Sequence, residues 1–116
     1  LATERIQSFA DFWPYYLGEH QDPKCRALHY VGTTLAIGWL STALLTLNPW
    51  LLIPAALSGY AFAWTGHFFI EKNKPATLTY PLWSLGADFR MYFLFLRGRI
   101  RSEVARYHPS TAPAAK

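Results

Sequence analysis

Apolar residues recur at helical spacing over residues 6–17, where Ile6, Phe9, Trp13, Tyr16 and Leu17 fall opposite Gln7 and Asp11. The pattern predicts an amphipathic helix, bent or stopped near Pro14 and closed by Gly18. The chain then changes character. From Tyr30 to Gly66 no charged residue occurs, and only Asn48-Pro49 interrupts the run. Asp22-Pro23 and Asn48-Pro49 each read as a helix N-cap followed by proline at the first helical position. They predict helices over about 23–47 and 49–72, each close to the ~20 residues that cross a bilayer. A last helical stretch, about Pro81 to Tyr107, mixes Leu82, Leu85, Phe89, Tyr92, Phe93 and Leu96 with Asp88 and Arg90. Its first half is too polar to span alone, so it would re-enter, lie at the interface or pack on the hairpin.

The expected fold is all-α: a small integral membrane helical bundle with a central transmembrane hairpin, an N-terminal amphipathic helix and a C-terminal helix. A hairpin buried in a soluble bundle is the alternative, and the Thr, Ser and Gly of the first arm would suit it. Residues 1–109 are expected to form one domain and 110–116 a disordered tail.

Composition favours the membrane. Hydrophobic residues make up 52% and aromatics 17%, with five Trp; Trp and Tyr in excess suit a membrane–water interface. Charge is segregated as well. Residues 1–96 hold six Lys/Arg and six acids, so the +4 excess comes from Arg97, Arg99, Arg101, Arg106 and Lys116 against Glu103. No nucleic-acid motif accompanies these cations, and an anionic lipid surface is the expected partner rather than nucleic acid. Lys24, Arg26, Lys72, Lys74 and the arginine tail flank the open side of the hairpin, which places that side in the cytoplasm. The host would be the inner membrane of a bacterium or an ER-type membrane of a eukaryote. The single Cys25 excludes an intramolecular disulfide and a CxxC zinc motif. Glu4, Arg5 and Asp11 among aromatics do not make a signal peptide.

Candidate chemistry gathers at the open side. Asn48 lies nineteen residues after His29 and nineteen before His67. A tight turn therefore brings both histidines to one depth, roughly 28 Å from the turn at about 1.5 Å per residue. Inward from His29 the same face carries Gly32, Ala36 and Ala43; back from His67 it carries Ala63, Gly59 or Tyr60, and Ala56. Small residues let helices approach closely, so the histidines should face each other. The same small residues would serve helices of one chain or a homo-oligomer. Glu71 is one turn beyond His67, and His20 just precedes the first arm. Three imidazoles and a carboxylate can thus converge, a set that suits non-haem Fe(II) and would also hold Zn or Mn. Interfacial histidines hydrogen-bonded to Glu71, Tyr30 or headgroups are the other reading. His108, before Pro109, reads as a surface residue.

The stretch from His20 through Asp22-Pro23 and Cys25 to His29-Tyr-Val-Gly32, with Gly66-His67-x3-Glu71-x3-Pro75-Ala76, resembles the 2-hydroxy fatty acid dioxygenase family. The family comprises small membrane proteins of fungal α-oxidation and their bacterial relatives. Ser84 to Tyr92 and Gly98-Arg99 look like the bacterial branch, and the likeness runs from Phe12 to about Arg101. Cys25 stands where many relatives have asparagine, and Thr33-Thr34 follows where proline is frequent. The resemblance implies Fe(II)-dependent cleavage between C1 and C2 of a long-chain 2-hydroxy fatty acid with dioxygen, giving a fatty acid one carbon shorter. It implies His20, His29 and His67 as metal ligands, with Glu71 as a fourth ligand or as the acceptor that fixes a histidine. Arg26, Lys72 or Arg90 would neutralise the substrate carboxylate, and Arg90 would reach Glu71 or the substrate. Asp88 would orient a ring nitrogen; an exposed polar helix face is the other reading of Asp88 and Arg90. The same residues would also suit a zinc-dependent lipid hydrolase with Glu71 as base. A non-catalytic membrane lipid-binding or scaffold protein needs none of this chemistry.

Overall fold

The computed structural model describes residues 5–108, and the expected tail over 110–116 lies outside them. Among the described residues there are five α-helices and no strand, as the all-α reading requires: α1 (Phe9–Gly18), α2 (Pro23–Thr46), α3 (Leu52–Thr65), α4 (Pro81–Leu96) and α5 (Ile100–Tyr107). The chain resolves into two compact units. One is Asp22–Pro75; the other joins residues 5–21 with 76–108.

The first of these units is the helical hairpin. Asp22 caps α2 by accepting the Lys24 N–H at 2.8 Å, and Pro23 occupies the first turn. The helix ends in a Schellman closure, with Asn48 N–H donating to the Ala43 carbonyl (3.0 Å) and Leu47 N–H to that of Leu44 (3.3 Å). Leu47 takes the left-handed conformation this closure requires (φ 54°). The Asn48 side chain then accepts the Trp50 N–H at 3.1 Å and opens a 3-10 turn, Pro49–Leu51, that leads into α3. The arms meet through their smallest residues. A Cβ on Gly32 would stand 3.0 Å from the Gly59 carbonyl and 3.1 Å from that of Ser58. The small-residue face expected from the sequence is therefore real, and it puts one helix on the other's backbone.

The expected single helix over 49–72 is not uniform. After Thr65 it widens into a π-helix, Gly66–Glu71, closed by Lys72 in the left-handed region (φ 58°). The membrane reading is met in part. α2 is long and apolar enough to cross a bilayer, whereas α3 proper has 14 residues, short of the ~20 a span needs.

In the other unit, α1 packs on α4 and α5, which also pack on each other. Ser8 caps α1, its hydroxyl accepting the Asp11 N–H at 3.1 Å, so the helix begins at Phe9 rather than Ile6. It runs through Pro14 instead of stopping there. Phe12 and Trp13 before the proline, and Tyr16 and Leu17 after it, are all buried, and their packing holds both sides of the helix in line. Ala87 and Met91 of α4 and Ile100 and Val104 of α5 are buried in the same unit. The single stretch expected over 81–107 is broken at Gly98, whose φ of 72° is left-handed. Arg99 N–H donates to the Leu94 carbonyl (2.8 Å) and Gly98 N–H to that of Phe95 (3.0 Å), a second Schellman closure. His108 is not a plain surface residue: its Nε2 lies 2.7 Å from the Pro14 carbonyl.

Candidate metal centre

His29 stands near the start of α2, and His67 is the second residue of the π segment. Their rings meet edge to face, centroids 5.0 Å apart at 88°. Gly66 makes this approach possible, because a Cβ there would fall 2.9 Å from the Cys25 sulfur. The matched count from Asn48 thus translates into a real meeting of imidazoles.

Each of the three inner histidines is held in the same way. His29 Nδ1 is 2.9 Å from the Cys25 carbonyl. His67 Nδ1 is 2.7 Å from the side-chain oxygen of Asn73. His20 Nδ1 is 2.7 Å from the Tyr16 carbonyl. These oxygens only accept, so each Nδ1 carries the hydrogen, and in the neutral form of each ring the lone pair is on Nε2. That tautomer, fixed by an oxygen behind the ring, is the one metal-binding histidines adopt. All three are buried, at 1%, 4% and 2% exposure for His20, His29 and His67. Together they form a group that could hold a metal ion: each offers one ligand atom, and these atoms all lie within 4.8 Å of one another.

Glu71 is not a member of that group. Its Oε2 accepts the Asp22 backbone N–H at 2.6 Å, at the N-terminus of α2, where the helix dipole favours a carboxylate. The π winding, with more residues per turn than an α-helix, gives His67 and Glu71 separate partners despite their four-residue spacing. Arg26 is buried one turn before His29, with its charge close to the Tyr30 hydroxyl. Lys72 is exposed. Arg90 lies over the Trp13 ring, 4.5 Å from its centroid, with its guanidinium 3.9 Å from Glu103.

Asp88 accepts a hydrogen bond from the Tyr16 hydroxyl. Burial of its carboxyl pushes the pKa up to about 7, against the opposing pull of that hydrogen bond. The residue as a whole is half-buried, but its acid end meets a fully buried phenol. Tyr16 in turn holds His20, by its carbonyl and by ring stacking at 4.0 Å. Asp88 thus reaches a histidine through Tyr16, not by touching a ring nitrogen itself. Asn73 and Tyr16 carry no mark in the sequence. Asn73 becomes a histidine partner only because the π turn and the left-handed Lys72 fold the chain back on His67.

Residues 6–100 match the family model described as Mpo1-like, 2-hydroxy-palmitic acid dioxygenase Mpo1-like. The chain belongs to this family. The match takes in every residue singled out at the candidate site, from His20 to Arg90, and leaves most of α5 outside. The likeness seen in the motifs around His29 and His67 is therefore borne out, and the family name points to a dioxygenase acting on a 2-hydroxy fatty acid. No curated protein and no solved structure gives a match.

Proposed function

We propose that the protein is an Fe(II)-dependent dioxygenase of the membrane that cleaves between C1 and C2 of long-chain 2-hydroxy fatty acids. The observation that carries the reading is the shared tautomer of three buried histidines, each with Nδ1–H committed to an oxygen, in a chain of this family. A neutral trio of imidazoles fits a divalent ion and leaves coordination positions for small ligands. Iron would supply there the activation of dioxygen and a point of chelation for the hydroxyl and carboxylate of the substrate.

The protein's own residues do the rest. His20, His29 and His67 hold the metal. Glu71 fixes the start of α2 against the end of the π segment, which sets the spacing of His29 and His67. Arg26, a buried cation one turn from His29, neutralises the substrate carboxylate. Lys72 at the surface and Arg90, already engaged by Trp13 and Glu103, are weaker candidates for that role. Asp88 acts through Tyr16, holding the phenol so that its carbonyl and ring keep His20 in register. With one dioxygen per substrate, the balanced products are the acid one carbon shorter, carbon dioxide from C1, and water.

The membrane setting has its own support. Leu44, Leu45, Leu47 and Trp50 at the hairpin turn are exposed, a patch that suits hydrocarbon rather than water. The hydroxyls of Thr34, Thr42, Thr46 and Thr65 each donate to the carbonyl four residues back, at 2.6–2.9 Å, and so are satisfied without water. The site then lies at the cytoplasmic edge, with the acyl chain running along the hairpin.

The deciding experiment is oxygen uptake by anaerobically purified, iron-loaded protein given a 2-hydroxy fatty acid labelled at C1. Labelled carbon dioxide and the shortened acid, both lost in His67→Ala, are expected. Bound iron without turnover of any 2-hydroxy acid would overturn the substrate. Zinc retained under iron-replete reducing conditions would favour a hydrolase, and no bound metal would leave a lipid-binding scaffold.

A further inference from the structure

His20, Tyr16, Trp13 and Phe9 follow one another at steps of four, three and four residues, a single stripe along α1 and its end. Tyr16 stacks on His20 with centroids 4.0 Å apart at 24°. Trp13 stacks on Tyr16 at 5.6 Å and 12°. Packing alone accounts for an aromatic stripe. It does not account for the acids that meet it.

The Tyr16 hydroxyl donates to Asp88, and the Trp13 indole N–H donates to Glu103 Oε2 at 2.8 Å. Filling a core asks for phenylalanine, whereas drawing a carboxyl into it carries a desolvation cost. Both oxidisable rings of the stripe therefore have a proton acceptor at the one atom that loses a proton on oxidation. Arg90 over the face of Trp13 disfavours an indole cation. Electron loss from Trp13 must then go with proton loss to Glu103, whose side chain reaches solvent at 16% exposure.

We propose that His20, Tyr16 and Trp13 form a one-electron conduit that drains oxidising equivalents from the metal site when dioxygen reacts there without fatty acid. The inference rests on the iron reading above. In the first step Tyr16 would give one electron to superoxide, formed as dioxygen oxidises the iron. The superoxide takes two protons from solvent and leaves as hydrogen peroxide, while the phenolic proton passes to the Asp88 carboxylate. A neutral tyrosyl radical results. In the second, Trp13 gives an electron to that radical, the proton on Asp88 returns to the phenol oxygen, and the indole proton passes to Glu103. A dissolved one-electron reductant, such as a thiol or ascorbate, restores Trp13, which recovers its proton from Glu103.

The test is freeze-quench electron paramagnetic resonance on the full chain loaded with Fe(II) and mixed with dioxygen in the absence of fatty acid. Iron content is measured beforehand. A tyrosyl signal is expected in the wild type, narrowed when tyrosine rings are deuterated, and lost in Tyr16→Phe, which keeps the stacked ring. Trp13→Phe should lengthen the life of the tyrosyl several-fold. Should Tyr16→Phe fail to fold, the deuterium narrowing and the Trp13→Phe lifetime still decide. Iron that oxidises with no organic radical, or an unchanged signal in Tyr16→Phe, overturns the conduit and leaves the iron site standing. A wild type that binds no iron overturns both.

Discussion

The two ends of the hairpin are built from the same pair of arms and treat their side chains in opposite ways. At the open end Cys25, Arg26, His29 and His67 are buried, and the Nδ1 atoms of both histidines are tied to oxygens. At the turn, Leu45 and Leu47 are 84% and 83% exposed. Polar groups are enclosed where Gly66 and Gly32 let backbone meet side chain or backbone. Leucines are left outward at the turn. Burial here follows local backbone approach more closely than residue polarity.

The sharpest way to break the contrast is to remove its polar end. His29→Ala or His67→Ala should abolish stable iron binding, measured as metal content after anaerobic gel filtration, while Leu45→Ala at the turn leaves it unchanged. Equal loss from all three substitutions would mean that the ends are not functionally distinct. A step down in size, Asn73→Ala removes only the oxygen behind His67. Affinity for Co(II), followed by its visible absorption, should fall by roughly 10–100-fold.

Backbone approach can be tested directly. Gly66→Ala places a Cβ against the Cys25 sulfur, and overpacking of this kind costs about 1–3 kcal/mol. Thermal unfolding in detergent should show the loss, and the double variant with Cys25→Ala should recover part of it. A buried acid away from the hairpin gives a comparison of similar size. Asp88 has its pKa raised from 3.8 to about 7, so the folded state holds the proton more tightly than the unfolded chain. Its stabilisation is fully present below about pH 4 and is lost as pH rises through 7, by up to roughly 1.4 kcal/mol per pH unit. Asp88→Asn should flatten the fall in melting temperature over that range in metal-free protein. The smallest effect belongs to the turn. Leu47 occupies the left-handed position that Gly98 fills in the other Schellman closure, and Leu47→Gly should stabilise by about 1 kcal/mol with no change in Co(II) affinity.

Much of this was legible in the chain. Asp22-Pro23 and Asn48-Pro49 marked two helix starts, because an N-cap side chain and a proline act on their own neighbours. The count from Asn48 and the small residues below each histidine located the His29–His67 meeting, since helical rise and facing are fixed by geometry. The break at Gly98 was also written locally, although a continuous apolar pattern across 81–107 hid it.

Other features depended on contacts no spacing encodes. The π winding at Gly66–Glu71 arises where Gly66 lies on Cys25, and it places Glu71 against the Asp22 amide. Asn73 and Tyr16 lie only six and four residues from the histidines they hold, but spacing alone does not say which nearby oxygen a ring nitrogen meets. Helix starts, the small-residue faces and the depth of the histidines were set by the sequence itself through local backbone chemistry. Which partners Glu71 and Asp88 take, the Asp22 amide and the Tyr16 hydroxyl, was decided only by the tertiary structure, because those bonds join residues 49 and 72 positions apart and exist only once separate segments are packed together.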